Sequence, residues 1–406
     1  MPFSNLEQKN KFVLRKMKNE LRDYVYGRSQ RAFDIGDSQR DAVVDIEKIK
    51  ERQKKIKDFF INNCLGGLPE NEGEVKYECK GIIKDEFYNI EKIILNPRKN
   101  VYVSTNVYVP TSIKEKAPAI LFLCGHTQKG FKGPFYQNVC CHLARAGFIV
   151  LAQDPVGQGE RYTCMDRKTK SNMIIESCTF EHDLVGVQCD LTGKHISRYF
   201  VHDAIRSIDY LCSRDDVDEK SIGITGQSGG GTQTVMMMMV EDRIKAAAPA
   251  TFVMAREEYM YQDSPQDAEQ IWHGFTKEGF DHEDLLLAMV PKPVAVVAAK
   301  YDFFPIAGTR RTFNRAKKYW EAYGCEHNFV MYEDTSVHCY TDYLAKRVTE
   351  FFCLNLMQKK IQINDWKFKI KEDNEINCTK KGQIALEYED AIFPYEENIN
   401  LCTICG

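Results

Sequence analysis

"GITGQSGGGTQT", residues 223–234, sets Ser228 among the four glycines of residues 226–231, between an apolar run and a run of methionines. The preceding "SIGITGQ" reads as a buried strand, and the following "GTQTVMMMMV" reads as a helix. Gly226-Gln227-Ser228-Gly229-Gly230 thus fits G-x-S-x-G in the strand–turn–helix setting that the motif requires. A nucleophile on such a turn sits in a strained backbone conformation, so its neighbours must lack bulky side chains. The helix N-terminus then offers N–H groups to a developing oxyanion. A plain tight turn would also use glycines, so the surrounding chain has to decide.

Working outward, apolar strands alternate with helices from residue 118 onward. Strands are expected at "PAILFLCG" (118–125), "FIVLAQD" (148–154), "IKAAAPA" (244–250), "PVAVVAAKYD" (293–302) and "NFVMYED" (328–334). Helices are expected at 135–146, 196–214, 309–324 and 340–357. Nearly continuous apolar strands separated by helices make a mostly parallel sheet covered on both faces, an α/β fold. Residues 73–110 are rich in β-branched and aromatic residues and read as antiparallel strands that begin the sheet. Residues 1–65 form an N-terminal helical extension, 66–357 the catalytic domain, and 358–406 a small appendage. In the appendage, "WKFKIK" and "QIALEYE" read as a short strand pair covering the sheet. Two segments interrupt the alternation, about 160–195 and 252–292, and both follow strand ends where open sheets place their ligands.

The formal net charge is −3, from 55 basic and 58 acidic residues. That balance lacks the cationic excess through which proteins bind nucleic acid or anionic membranes. No run approaches the roughly 18 apolar residues of a membrane span, and the charged first residues do not read as a secretory signal. The fifteen cysteines are scattered, often inside apolar runs, and read as reduced thiols of a cytoplasmic protein. Cys402 and Cys405 have C-x-x-C spacing but no second pair to complete a metal site. The amphipathic N-terminal helices are expected to serve structure or self-association.

A serine needs a base, and the base needs an acid to orient it. In this fold class they follow in the order serine, acid, histidine. Asp302 follows the strand "PVAVVAAKY", and His338 lies in the loop after the next strand. Both are expected at the sheet edge that carries Ser228. Asp334 is the rival acid, four residues before His338, expected too near the same strand end to reach the far ring nitrogen. A second oxyanion donor is expected from the loop after "PAILFLCG", as the backbone N–H of His126 beside that of Gly229. Tyr259, Tyr261, Trp272, His182 and His195 lie in or beside the two insertions and are candidates for lining the pocket, with packing as the plain alternative. Met236–Met239 read as core filler.

"LCGH", "QDPVGQGER", "ITGQSGGGTQT", "RIKAAAPA", "YDFFP" and "VHCY" together resemble the α/β-hydrolase superfamily, in its branch of acetyl xylan esterases, cephalosporin-C deacetylases and related bacterial esterases. The resemblance covers about residues 75–357. It implies a serine carboxylesterase acting on short acyl esters of a carbohydrate or small molecule through Ser228, His338 and Asp302, with no metal or organic cofactor. "DPVGQGER" is similar to a segment that shapes the site wall in those esterases. The chain departs from many relatives at Cys124, where they carry histidine, and in its N-terminal and C-terminal extensions. Two other readings share the elbow: a serine peptidase of the prolyl-oligopeptidase type, and a non-catalytic hydrolase fold that binds a ligand.

Overall fold

The computed structural model describes residues 3–71, 73–174, 178–262 and 266–404, with side chains described between residues 19 and 401. Three strands, β1 (Lys76–Lys84), β2 (Tyr88–Arg98) and β3 (Val101–Pro110), form an antiparallel meander. Six more, β4 (Ala117–Leu123), β5 (Ile149–Gln153), β8 (Val217–Gln227), β9 (Ile244–Ala250), β10 (Val294–Tyr301) and β11 (Phe329–Val337), pair in parallel. A separate small hairpin, β6 (Met165–Asp166) with β7 (Ser171–Asn172), lies in the first insertion with α4 (Thr179–Leu191), and α7 (Arg256–Met260) lies in the second. The nine-stranded order is β1-β2-β3-β5-β4-β8-β9-β10-β11, with β3 and β5 antiparallel. Among the described residues this is the doubly covered, mostly parallel α/β sheet expected from the sequence.

The covering helices follow from burial. α3 (Pro134–Ala146) and α10 (Asp342–Met357) cover one face, where Val139, Leu143, Val348 and Phe352 meet Ile120, Val150 and Val297. α5 (Ser197–Ser213), α6 (Gly229–Val240) and α9 (Ile306–Ala322) cover the other, with α2 (Ile46–Phe59) and α8 (His282–Leu287) packed outside them. Met236–Met239 are at most 1% exposed; consecutive positions point to different sides of a helix, so they fill core space all round α6, as expected of unbranched apolar side chains. Burial on every side, rather than helix propensity, is what fixes α6 in place.

The long α1 (Phe3–Asp41) and α2 are joined to the body through buried charge. The Arg40 guanidinium is 1% exposed and reaches Asp284 at 2.9 Å, Glu283 at 3.3 Å and Asp37 at 2.6 Å, while Arg52 also pairs with Asp284. Removing Arg40 would leave Glu283 and Asp284 buried with fewer counter-charges. Arg40→Ala is therefore expected to cost about 3–5 kcal/mol of stability, measured by urea denaturation; a loss below about 1 kcal/mol would contradict this account.

The C-terminal expectation needs correction. "WKFKIK" forms no strand, and "QIALEYE" contains a single helical turn, α12 (Ile384–Glu387), between α11 (Asp373–Ile376) and α13 (Pro394–Ile404). The reason is that side chains take the bonds a ladder would have used. Gln137 of α3 exchanges hydrogen bonds with both the N–H and the C=O of Lys371, at 2.9 and 3.1 Å. Trp366 and Phe368 pack on His142, with Arg145 over the Trp366 ring at 4.8 Å. Ile384 donates to the Glu160 carbonyl at 2.8 Å. Tyr388 stacks on Tyr102 of β3 and donates to Glu78 of β1, so the tail does cover that side of the sheet. The Cys402/Cys405 pair lies outside the described side chains; the thirteen cysteines that are described are all free.

Candidate active site

β4 lies between β5 and β8, so the chain leaves β4 toward one side of the sheet and returns on the other. The loops after β4 and β8 face a crevice at that switch point, the usual ligand position in such sheets. Ser228 occupies the turn after β8 with φ 59° and ψ −119°, a conformation costly for a residue with a Cβ. Its N–H donates to the Ala250 carbonyl at 2.9 Å, which ties the turn to β9. The glycines answer to close packing. A Cβ on Gly230 would overlap the Leu123 carbonyl, and one on Gly226 would overlap both that carbonyl and that of Gly230. Gly230→Ala should lower stability by at least about 1–3 kcal/mol, read from thermal or chemical unfolding; an unchanged midpoint would show that the turn can relax.

The candidate acid and base arrive from the next strand ends. Asp302 directly follows β10, and His338 directly follows β11. His338 Nδ1 lies 2.8 and 2.9 Å from the two carboxylate oxygens of Asp302. Asp302 also accepts from the Phe304 N–H at 3.0 Å, which orients the carboxylate. With Nδ1–H donated to Asp302, the lone pair of the ring sits on Nε2. Asp334 points elsewhere: its carboxylate accepts from the Thr341 hydroxyl at 2.5 Å, and Thr341 caps α10. Phe303 packs 4.3 Å from the imidazole of His338. Ser228 and His338 line one cavity of about 280 Å³ together with His126, Gln227, Tyr136 and Phe135.

The loop after β4 is held by the "DPVGQGER" segment. Gln158 donates to the carbonyls of Gly125 and Thr127 at 2.8 and 3.1 Å, and Gln233 donates to that of Cys124 at 3.1 Å. Asp154 accepts from Phe131 N–H at 2.9 Å, and Arg161 links Asp154 to the buried Asp203. These bonds use the carbonyls on either side of His126 and fix where that residue sits. Gly229 begins α6, where backbone N–H groups have no partner within the helix.

The sequence assigned a part only to the backbone of His126, and the structure gives its side chain partners. Its Nε2 lies 2.6 Å from Glu269 and its Nδ1 3.2 Å from Asp267. Burial opposes its charge, but Glu269 and then Asp267 outweigh that and raise the ring pKa to about 9. Glu269 is buried, which alone would raise its pKa, yet His126 and His182 hold its carboxyl well below the usual range. His182 is buried and reaches this group from the first insertion, and His195 bonds instead to the Ile271 carbonyl, away from the cavity. Tyr259 stacks on Phe304, Trp272 packs on Phe60, and Tyr261 lies exposed against Tyr26; none lines this cavity. Glu269 and Asp267 had no signal in the sequence: 143 positions separate Glu269 from His126, and "QDAEQIW" fits no motif.

Comparison with known proteins bears on the family and the fold. A family profile described as acetyl xylan esterase matches residues 46–258, which include Ser228 but neither Asp302 nor His338. YtaP of Bacillus subtilis, named as a hydrolase, is 27% identical over 207 residues, covering 48% of this chain and 62% of that protein, less than two thirds of its length. Among solved structures, methylesterase BT1017 superposes with a TM-score of 0.67 at 20% identity, over 91% of this chain and 78% of the other. A glucuronoyl esterase from Solibacter usitatus gives 0.58 at 14% identity, over 76% and 93% of the two chains. At such identities these two likenesses establish the α/β-hydrolase fold.

Proposed function

The chain belongs to the acetyl xylan esterase family, and from that premise we propose that it is a serine carboxylesterase removing short acyl groups from a carbohydrate or other small molecule. The observation that carries the reading is the pairing of His338 Nδ1 with both oxygens of Asp302, at the cavity that also holds the strained Ser228. In this reading His338 Nε2 takes the proton of Ser228 as the hydroxyl oxygen attacks the ester carbonyl. The backbone N–H groups of Gly229 and His126 receive the oxyanion. The alcohol leaves with the proton from His338, and water then releases the acyl group through the same base. Residues 66–357 would carry this chemistry, with 1–65 and 358–406 as buttresses. The free cysteines fit a reducing compartment such as the cytoplasm, and no described helix is long and apolar enough to cross a membrane.

A fluorophosphonate probe should label Ser228 in the wild-type chain, and an unreactive serine would favour a ligand-binding role. Hydrolysis of acetyl esters without cleavage of aminoacyl-proline amides would separate an esterase from a peptidase. The cavity volume of about 280 Å³ and its aromatic lining of Phe135 and Tyr136 favour short acyl groups. Turnover on 4-nitrophenyl acetate should exceed that on the octanoate by at least about 10-fold, an energy difference of about 1.4 kcal/mol. Faster octanoate turnover would overturn the acyl preference.

A further inference from the structure

We infer that His126, His182 and Glu269 form a binding site for a divalent transition metal, zinc being the best match, beside the turn that carries Ser228. One ligand atom from each of the three lies within 4.8 Å of the others. The inference concerns binding and does not depend on the esterase reading.

The arrangement of the ring nitrogens is the main argument. His126 Nε2 and His182 Nδ1 converge on the two oxygens of one carboxylate, at 2.6 and 3.1 Å. The opposite nitrogen of each ring is also engaged: His182 Nε2 lies 2.8 Å from the Val156 carbonyl, and His126 Nδ1 lies 3.2 Å from Asp267. A metal-bound histidine uses one nitrogen on the ion and donates the other N–H to a carbonyl or carboxylate, which fixes its tautomer. His182 has that outer partner already in the Val156 carbonyl, and His126 has the Asp267 carboxylate beside its Nδ1 as an ion-pair partner. Glu269 is itself held through its backbone carbonyl, which accepts from Ser197 Oγ at 2.7 Å and Trp272 Nε1 at 2.8 Å. The carboxylate is therefore presented by a fixed backbone.

A divalent cation seated among these atoms would take a lone pair from one nitrogen of each ring, any proton on that nitrogen leaving to solvent, while the carboxylate offsets part of its charge. Two imidazoles and one carboxylate, with a fourth position open, is a common zinc donor set. Zinc holds nitrogen and oxygen ligands at about 2.0–2.2 Å, so the short contacts to Glu269 would open slightly as the ion enters. A Cβ added to Gly229 would lie 2.8 Å from His126 Nε2, which places the site against the elbow.

The test uses Co²⁺ as probe, in a full-length chain carrying Cys402→Ser and Cys405→Ser so that the C-x-x-C pair cannot compete. The expected result is one Co²⁺ per chain with visible ligand-field bands and no thiolate charge-transfer band. Zn²⁺ should displace it. Loss of an outer partner alone weakens metal sites about 10–100-fold, so Glu269→Gln and His182→Asn should each weaken binding by at least about 100-fold while circular dichroism shows the fold retained. X-ray absorption of the Co²⁺-loaded chain should show two imidazoles in the nitrogen/oxygen shell, and this readout stands even if neither variant folds. Absence of Co²⁺ uptake at millimolar metal, uptake unaffected by either folded variant, or a shell without imidazole would each overturn the inference.

Discussion

Ser228→Ala is expected to lower turnover on an acetyl ester by about 10⁴ or more, because it removes the atom that forms the acyl-enzyme. His338→Ala should cost about as much, and the double variant little more than either alone, since members of a triad act as a unit. Alanine in the strained turn keeps a Cβ where serine had one, so folding should survive the change. Turnover must be measured on a chain expressed without contaminating esterases, with fluorophosphonate labelling of the wild type as the active-site titration. Near-normal turnover by a pure Ser228→Ala chain would end the reading of residues 226–230 as a nucleophile elbow. Strong coupling between Ser228 and His338 is the sharper outcome, because a merely structural histidine would give additive losses.

Asp302→Asn should lower turnover by a similar order, about 10⁴, with little change in fold. The amide keeps the shape of the carboxylate but can present an N–H to the ring, favouring the tautomer with its proton on Nε2. That nitrogen could then not accept the serine proton, and the imidazolium would lose its counter-charge. Asp334→Asn is the control. Its carboxylate meets Thr341 rather than His338, so its effect should be confined to capping of α10, about 1 kcal/mol of stability with turnover within a few-fold. If Asp334→Asn proved the crippling change and Asp302→Asn the mild one, the acid would be misassigned while the serine and histidine would stand. Measuring kcat and KM separately for both variants decides this, since a tautomer error lowers kcat.

Much of the frame was legible because it rests on local patterns. "SIGITGQSGGGTQT" carries a strand signal, a turn signal and a helix signal in order, and each is a short-range property of the chain. Asp302 and His338 were readable for the same reason: each follows the end of a strand, and parallel strands bring their carboxyl ends to one edge. The lysine-rich tail was misread because alternation is only a tendency. Trp366, Phe368 and Ile384 found partners on α3 and at Glu160, and those long-range bonds replaced the ladder.

The sequence by itself determined the parallel sheet, the tight turn at Ser228 and the edge to which Asp302 and His338 are delivered, since burial pattern and strand order suffice for these. Tertiary structure decided the rest. It turned Asp334 toward Thr341 and Asp302 toward His338, a choice between two carboxylates that strand position alone had only favoured. It also joined His126 to Glu269 across 143 positions and added His182 from another insertion. Such a group leaves no trace in spacing, because each member is placed by a different loop and only the packed fold brings the loops together.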